Sequence, residues 1–198
     1  MAKVELKLIQ ELRTRTGLGM MDCKKALVET NGDIEKSIIL LRKKGAAVAQ
    51  KRADKSTAEG LIHSYIHPGD RIGVMVEINC ETDFVARNEN MQKFARDICL
   101  QITAMSPSHV SSEDLGAEFL EKERSIFKEQ LKDSDKPAQV IEKIVEGRLK
   151  KVFAEVCLLN QPFIKDEKMT IEQLLQELIA KTGENIRIKR FVRFVVGA

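Results

Sequence analysis

An α+β fold is expected for this chain, built from amphipathic helices and a small, mostly antiparallel three-stranded sheet packed on them. Three observations predict it: apolar residues recur at helical spacing over most of the chain, two alternating runs flank a four-residue turn, and one further alternating run closes the sequence. The composition agrees, since 43% hydrophobic residues with 5% aromatics and no Trp suit a helix-rich globular chain better than a β-sandwich. At 198 residues the chain can bury a real core as one medium domain or two small ones.

The helices come first. Val4, Leu8, Ile9 and Leu12 fall on one helical face, and Gly17 after Thr16 supplies a left-handed stop. A second helix carries Met20, Met21, Cys23 and Leu27 as far as Asn31-Gly32. Asp33 then caps a third helix bearing Ile34, Ile38 and Leu41. A bundle of about 50 residues buries little surface, so its outer apolar side chains are expected to dock elsewhere. From Gly45 to Gly60 the chain turns to Ala, Lys and Arg without an apolar stripe. That marks a boundary: residues 1–50 are expected as a three-helix domain, 51–60 as a linker and 61–198 as an α+β core.

In the core, residues 61–66 and 71–79 flank His67-Pro68-Gly69-Asp70, the pattern of a hairpin. Ile72, Val74, Val76 and Ile78 make one face of it apolar, and that face needs a cover. Met91, Phe94, Ala95, Ile98, Ile102 and Met105 stack on one side of a helix that Ser106-Pro107 ends. A further helix runs around 119–131. After Pro137 a long amphipathic helix passes through Val140, Ile144, Leu149, Val152, Phe153 and Val156. Thr170 and Gln173 make a capping-box pattern for a last helix with Leu174, Leu175 and Leu178, stopped by Gly183. In the closing strand, 186–196, Ile188, Val192, Phe194 and Val196 alternate with Arg187, Lys189 and Arg193. One side is expected to be buried and the charged side wet.

Several function classes drop out. With 33 Lys and Arg against 30 Asp and Glu, the net charge of +3 is too small for strong attraction to a polyanion. Arg187, Lys189, Arg190 and Arg193 with Phe191 and Phe194 superficially match an RNA-binding strand. Alternation should nevertheless turn at least one Phe inward, so no direct nucleic-acid role is expected. No apolar run reaches the roughly eighteen residues of a membrane span, and the charged N-terminus lacks the form of a signal peptide. The four cysteines, Cys23, Cys80, Cys99 and Cys157, form no CxxC pair and read as reduced thiols of a cytoplasmic protein. There is no glycine-rich phosphate loop, Gly17-Leu18-Gly19 being a helix connector, and His63, His67 and His109 do not converge on a metal. No cofactor, metal site or catalytic dyad is nominated, so an enzyme is not expected.

The informative stretch is NCETDFVARN, Asn79 to Asn88, where a buried strand gives way to a helix through a polar loop. Phe84 follows Thr82 and Asp83, either of which can cap the helix. The ring is either a core staple or an exposed wedge for a partner. Pattern alone favours the core, because helix starts commonly tuck an apolar residue under the first turn.

RTGLGMMDCKKAL (Arg15 to Leu27), NCETDFVARN, CLLNQPFIKD (Cys157 to Asp166) and the closing RFVRFVVG together resemble the elongation factor Ts family in nearly the whole chain and in the family's order. The resemblance implies a guanine-nucleotide exchange factor that binds elongation factor Tu, in its GDP-bound and nucleotide-free forms, displaces Mg²⁺ and promotes GDP release. It implies that the first three helices are a ubiquitin-associated-like domain docking through Gly17, Met20, Met21 and Asp22. It further implies that Thr82, Asp83, Phe84 and Val85 dislodge the magnesium, with Phe84 as a wedge between helices of the GTPase. Longer members carry a duplicated core and a protruding coiled-coil segment. Only one core fits here, and the resemblance to short members implies a homodimer in which one sheet meets the other. The competing readings are an RNA- or ribosome-associated adaptor and an enzyme without an obvious motif.

Overall fold

The computed structural model describes residues 4–132, 134 and 137–197. They form α1 (Leu6–Thr16), α2 (Met20–Glu29), α3 (Ile34–Arg52), β1 (Glu59–Ile66), β2 (Ile72–Cys80), α4 (Asp83–Ala86), α5 (Glu89–Met105), α6 (Ala117–Glu129), α7 (Ala138–Val156), β3 (Pro162–Phe163), β4 (Asp166–Thr170), α8 (Ile171–Thr182) and β5 (Ile186–Val195). The fold is α+β as expected, with a three-stranded antiparallel sheet in the order β1-β2-β5. A second, two-stranded antiparallel hairpin, β3-β4, carries no strong alternation and was not foreseen. No helix among the described residues is long and apolar enough to cross a membrane. Two compact units are present: the residues up to Ile62 with Glu77–Ala95 and Gln173–Arg187, and His63–Val76 with Arg96–Glu172 and the residues from Ile188.

In the first unit α1, α2 and α3 bury Ile9, Leu12, Cys23, Ala26, Leu27 and Leu41 in one core. Gly17 ends α1 at φ 68°, a conformation that costs other residues about 1–2 kcal/mol, and its N–H donates to the Arg13 carbonyl at 2.7 Å. Asp33 Oδ1 accepts the Lys36 N–H at 3.0 Å, which starts α3. That helix does not stop where its apolar stripe fades. It runs through Gly45 to Arg52, because Gly45 is a buried point of close approach: a Cβ there would sit 3.3 Å from Ala180 Cβ on α8. The Arg42–Glu177 pair at 3.0 Å ties the same two helices. Small residues in this stretch therefore signal helix packing rather than an immediate linker.

In the second unit the His67 N–H donates to the Ile72 carbonyl at 2.9 Å and closes the hairpin turn. Val74 and Val76 of β2 are buried, as are Ile98, Cys99 and Ile102 of α5. The Cys99 thiol donates to the His63 carbonyl at 3.8 Å, so α5 lies against β1. Met105, expected on the buried stripe, is exposed at the end of α5 where the chain leaves the sheet. Gln101 is fully buried yet satisfied: its Nε2 donates to Gln161 Oε1 (3.1 Å) and the Pro162 carbonyl (3.0 Å), and its Oε1 accepts the Ile164 N–H (2.9 Å). Helices α6 and α7 pair over Leu131, Val145 and Leu149.

The closing strand departs from the expected alternation. Ile186 and Ile188 are buried, but Lys189 and Arg190 are both exposed, and beyond them Phe191, Arg193 and Val195 are half-buried while Val192, Phe194 and Val196 face outward. The inward phase shifts by one residue at 189–190, which carries every later side chain to the other face. The Arg193 guanidinium, expected in water, instead donates to the Thr103 carbonyl at 3.5 Å.

Candidate functional site

Strand β2 ends at Cys80, and the next turn is built by hydrogen bonds that leave one ring outside. Thr82, in an extended conformation, is the N-cap of α4, and its Oγ1 accepts the Val85 N–H at 3.4 Å. The Cys80 thiol donates to the Thr82 carbonyl at 3.1 Å. Burial, and after it the Glu184 carboxylate, raise the pKa of that thiol above its ordinary value. Within α4, Ala86 is buried and Asp83 and Val85 are half-buried, while Phe84 is 83% exposed. The core packing that pattern alone favoured for Phe84 is thus not what the chain adopts. A four-residue helix has one inward face, and Ala86 occupies it. Asp83 pairs with Arg87 one turn on, at 3.2 Å.

A second layer of contacts fixes the turn from the segment between α8 and β5. Glu184 accepts the Thr82 N–H at 3.0 Å and the Thr82 hydroxyl at 2.6 Å. Glu81 in return accepts the Asn185 N–H at 2.6 Å and is held by Arg52 Nη1 at 3.1 and 3.3 Å. The Asn185 side-chain amide donates to the carbonyls of Ala53 (3.3 Å) and Lys55 (2.8 Å), closing the end of α3, and Arg187 also donates to the Ala53 carbonyl. Sequence reasoning missed Arg52, Glu81, Glu184 and Asn185, because partners 29 to 104 positions apart leave no local spacing to read.

Gly17, Met20, Met21 and Asp22 lie together where α1 passes into α2, all exposed, with Met21 at 61%. Lys181, in the last turn of α8, lays its side chain beside Gly17, whose Cβ would be 3.1 Å from Lys181 Cε. The end of α8 therefore adjoins both sets of residues singled out in the sequence. Among the described residues no three His, Cys, Asp or Glu are grouped to hold a metal. His67 Nδ1 instead lies 3.3 Å from the Tyr65 hydroxyl, and His109 Nδ1 2.8 Å from Ser108 Oγ.

Comparison with known proteins gives one family. The family model described as elongation factor TS matches residues 20–198. Elongation factor Ts of Carboxydothermus hydrogenoformans is 58% identical over 191 residues, covering 96% of this chain and 88% of that protein. The Thermosipho melanesiensis protein of that name is 56% identical over 194 residues, 98% and 99% of the two chains. That of Desulforamulus reducens is 53% identical over 197 residues, 100% of this chain and 91% of the relative.

Proposed function

The chain belongs to the elongation factor Ts family of translation elongation factors, and we propose that it binds elongation factor Tu carrying GDP, dislodges the Mg²⁺ and so releases the nucleotide. Residues 1–50 act as the ubiquitin-associated-like docking domain, through Gly17, Met20, Met21 and Asp22. Residues 51–60 lead to the core at 61–198, where Thr82, Asp83, Phe84 and Val85 act on the magnesium side of the partner. The observation that carries this reading is Phe84: a large ring 83% in water, on a junction tied by hydrogen bonds on both sides. An apolar ring held this way gains by entering a partner's groove, and little ordering is left to oppose it.

The energetics are those of linkage, and no covalent step is required. A protein that binds the nucleotide-free GTPase more tightly than the GDP form weakens GDP binding by the same ratio. A shift of about 10⁴ needs on the order of 5.5 kcal/mol of differential binding, within reach of a few interface hot spots. Phe84 wedged between two helices of the GTPase would move the groups that position Mg²⁺, and the Asp83 carboxylate would strain the same helices. Such a factor works in the cytoplasm. Phe84→Ala is expected to cost about 2 kcal/mol of the differential energy and to slow release more than tenfold. Stopped-flow release of fluorescent GDP from elongation factor Tu measures this, and release at the wild-type rate sinks the wedge.

The same reading pairs two copies of the chain. Support comes from the outward sheet face of the second unit, where Ile66, Met75, Val192, Phe194 and Val196 are all exposed. An apolar face of this kind suits a partner, and the resemblance to short family members makes that partner a second copy related by a two-fold axis.

A further inference from the structure

Thr82 has one hydroxyl proton and two uses for its oxygen. The proton goes to Glu184 in a 2.6 Å bond, which turns the Oγ1 lone pairs toward the Val85 N–H at 3.4 Å. A hydroxyl-to-carboxylate bond of that length belongs to the strong, charge-assisted class, and Glu184 adds a second grip by accepting the Thr82 N–H at 3.0 Å. The four residues of α4 are too few to hold a helical turn by themselves, so its direction depends on what fixes its cap. The crossed pair, Glu81 to the Asn185 N–H and Glu184 to the Thr82 N–H, makes the junction and the α8–β5 segment one clasp.

We propose that Glu184 is a positioning residue for nucleotide exchange: by gripping the backbone and hydroxyl of Thr82 it sets the direction in which Phe84 leaves the junction. This role rests on the wedge reading of Phe84. Glu184 acts through Thr82 and Phe84, so its loss affects the step at which the nucleotide loosens more than it affects docking.

The test is GDP release from elongation factor Tu at rising concentrations of full-length wild type, Glu184→Ala, Glu184→Gln, Phe84→Ala and the Glu184→Ala/Phe84→Ala double variant, with melting curves for each. Glu184→Ala is expected to lower the saturating rate about tenfold while the half-saturating concentration moves less than about threefold. In the double variant it should add almost nothing to Phe84→Ala, since a positioning residue has nothing left to position. Glu184→Gln should restore most of the rate, because its amide can accept from the Thr82 N–H and donate to Thr82 Oγ1. An unchanged saturating rate for Glu184→Ala, a rise in half-saturating concentration alone, or a full further slowing in the double variant overturns the role. Should Glu184→Ala melt below the assay temperature, Glu184→Asp, whose shorter arm reaches at most one donor, is judged by the same readings. Slow Phe84→Ala with fast Glu184→Ala removes the positioning role alone. Phe84→Ala at the wild-type rate removes the wedge and this role with it.

Discussion

Cys99 has no solvent exposure, and burial pushes its thiol up to about 11 from the ordinary 9.0. Below pH 9 the folded and unfolded chains both keep this proton. Between about 9 and 11 the unfolded chain releases it and the folded chain does not, so stability falls as pH rises through that window. The contribution is on the order of 2 kcal/mol. Cys80 and Cys157 are raised in the same direction. Denaturant midpoints measured from about pH 8 to pH 11 should therefore fall more steeply for the wild type than for Cys99→Ala, and identical slopes would refute the assignment. At this scale the sequence was legible for burial and mute for exposure. Val74, Val76 and Ile78 read as an apolar face in need of a cover and are buried. Phe84 was ambiguous because an apolar residue two positions past an N-cap serves either side, and only the turn of α4, fixed by Glu184 102 positions from its cap, decides it.

Elements were readable where one local signal sets them. Gly17 and Asp33 end and begin helices through bonds to residues four and three positions away, Arg13 and Lys36, and both were foreseen. The length of α3 and the phase of β5 were not, since each is set by packing against distant chain: Gly45 on Ala180, and Arg193 on Thr103. Gly60 belongs with the second kind. A Cβ there would run into the Ile78 carbonyl oxygen, with Asn79 Cα at 2.8 Å, both on the paired strand. Gly69 at the hairpin tip has φ 93° but nothing within 4 Å of its Cβ position. Magnitudes separate the two: Gly60→Ala is expected to cost up to about 3 kcal/mol by forcing β1 from β2, whereas Gly69→Ala should cost roughly 1 kcal/mol in backbone strain. Chemical denaturation orders them, and a Gly60→Ala protein as stable as Gly69→Ala would contradict the close approach.

For the whole molecule the open question is what covers the outward face of the sheet, and the phase shift in β5 is what created it. Had the alternation continued unbroken past Ile188, Phe194 would be inside; as built, it is 69% exposed beside exposed Val192 on the same strand and Val196 just past its end. Moving a Phe side chain out of water is worth about 1.5–3 kcal/mol, and the proposed two-fold pairing would count each residue twice. Phe194→Glu should then weaken association by at least about 3 kcal/mol, more than a hundredfold in dissociation constant, before repulsion between the two carboxylates is added. Light scattering at micromolar concentration should accordingly report twice the chain mass for the wild type and the single-chain mass for Phe194→Glu, with both variants melting cooperatively. High salt should not dissociate the wild type, because burial of apolar area is screened by neither ion. A wild-type monomer at that concentration would remove the second copy as the occupant, and a Phe194→Glu dimer would move the interface to another face.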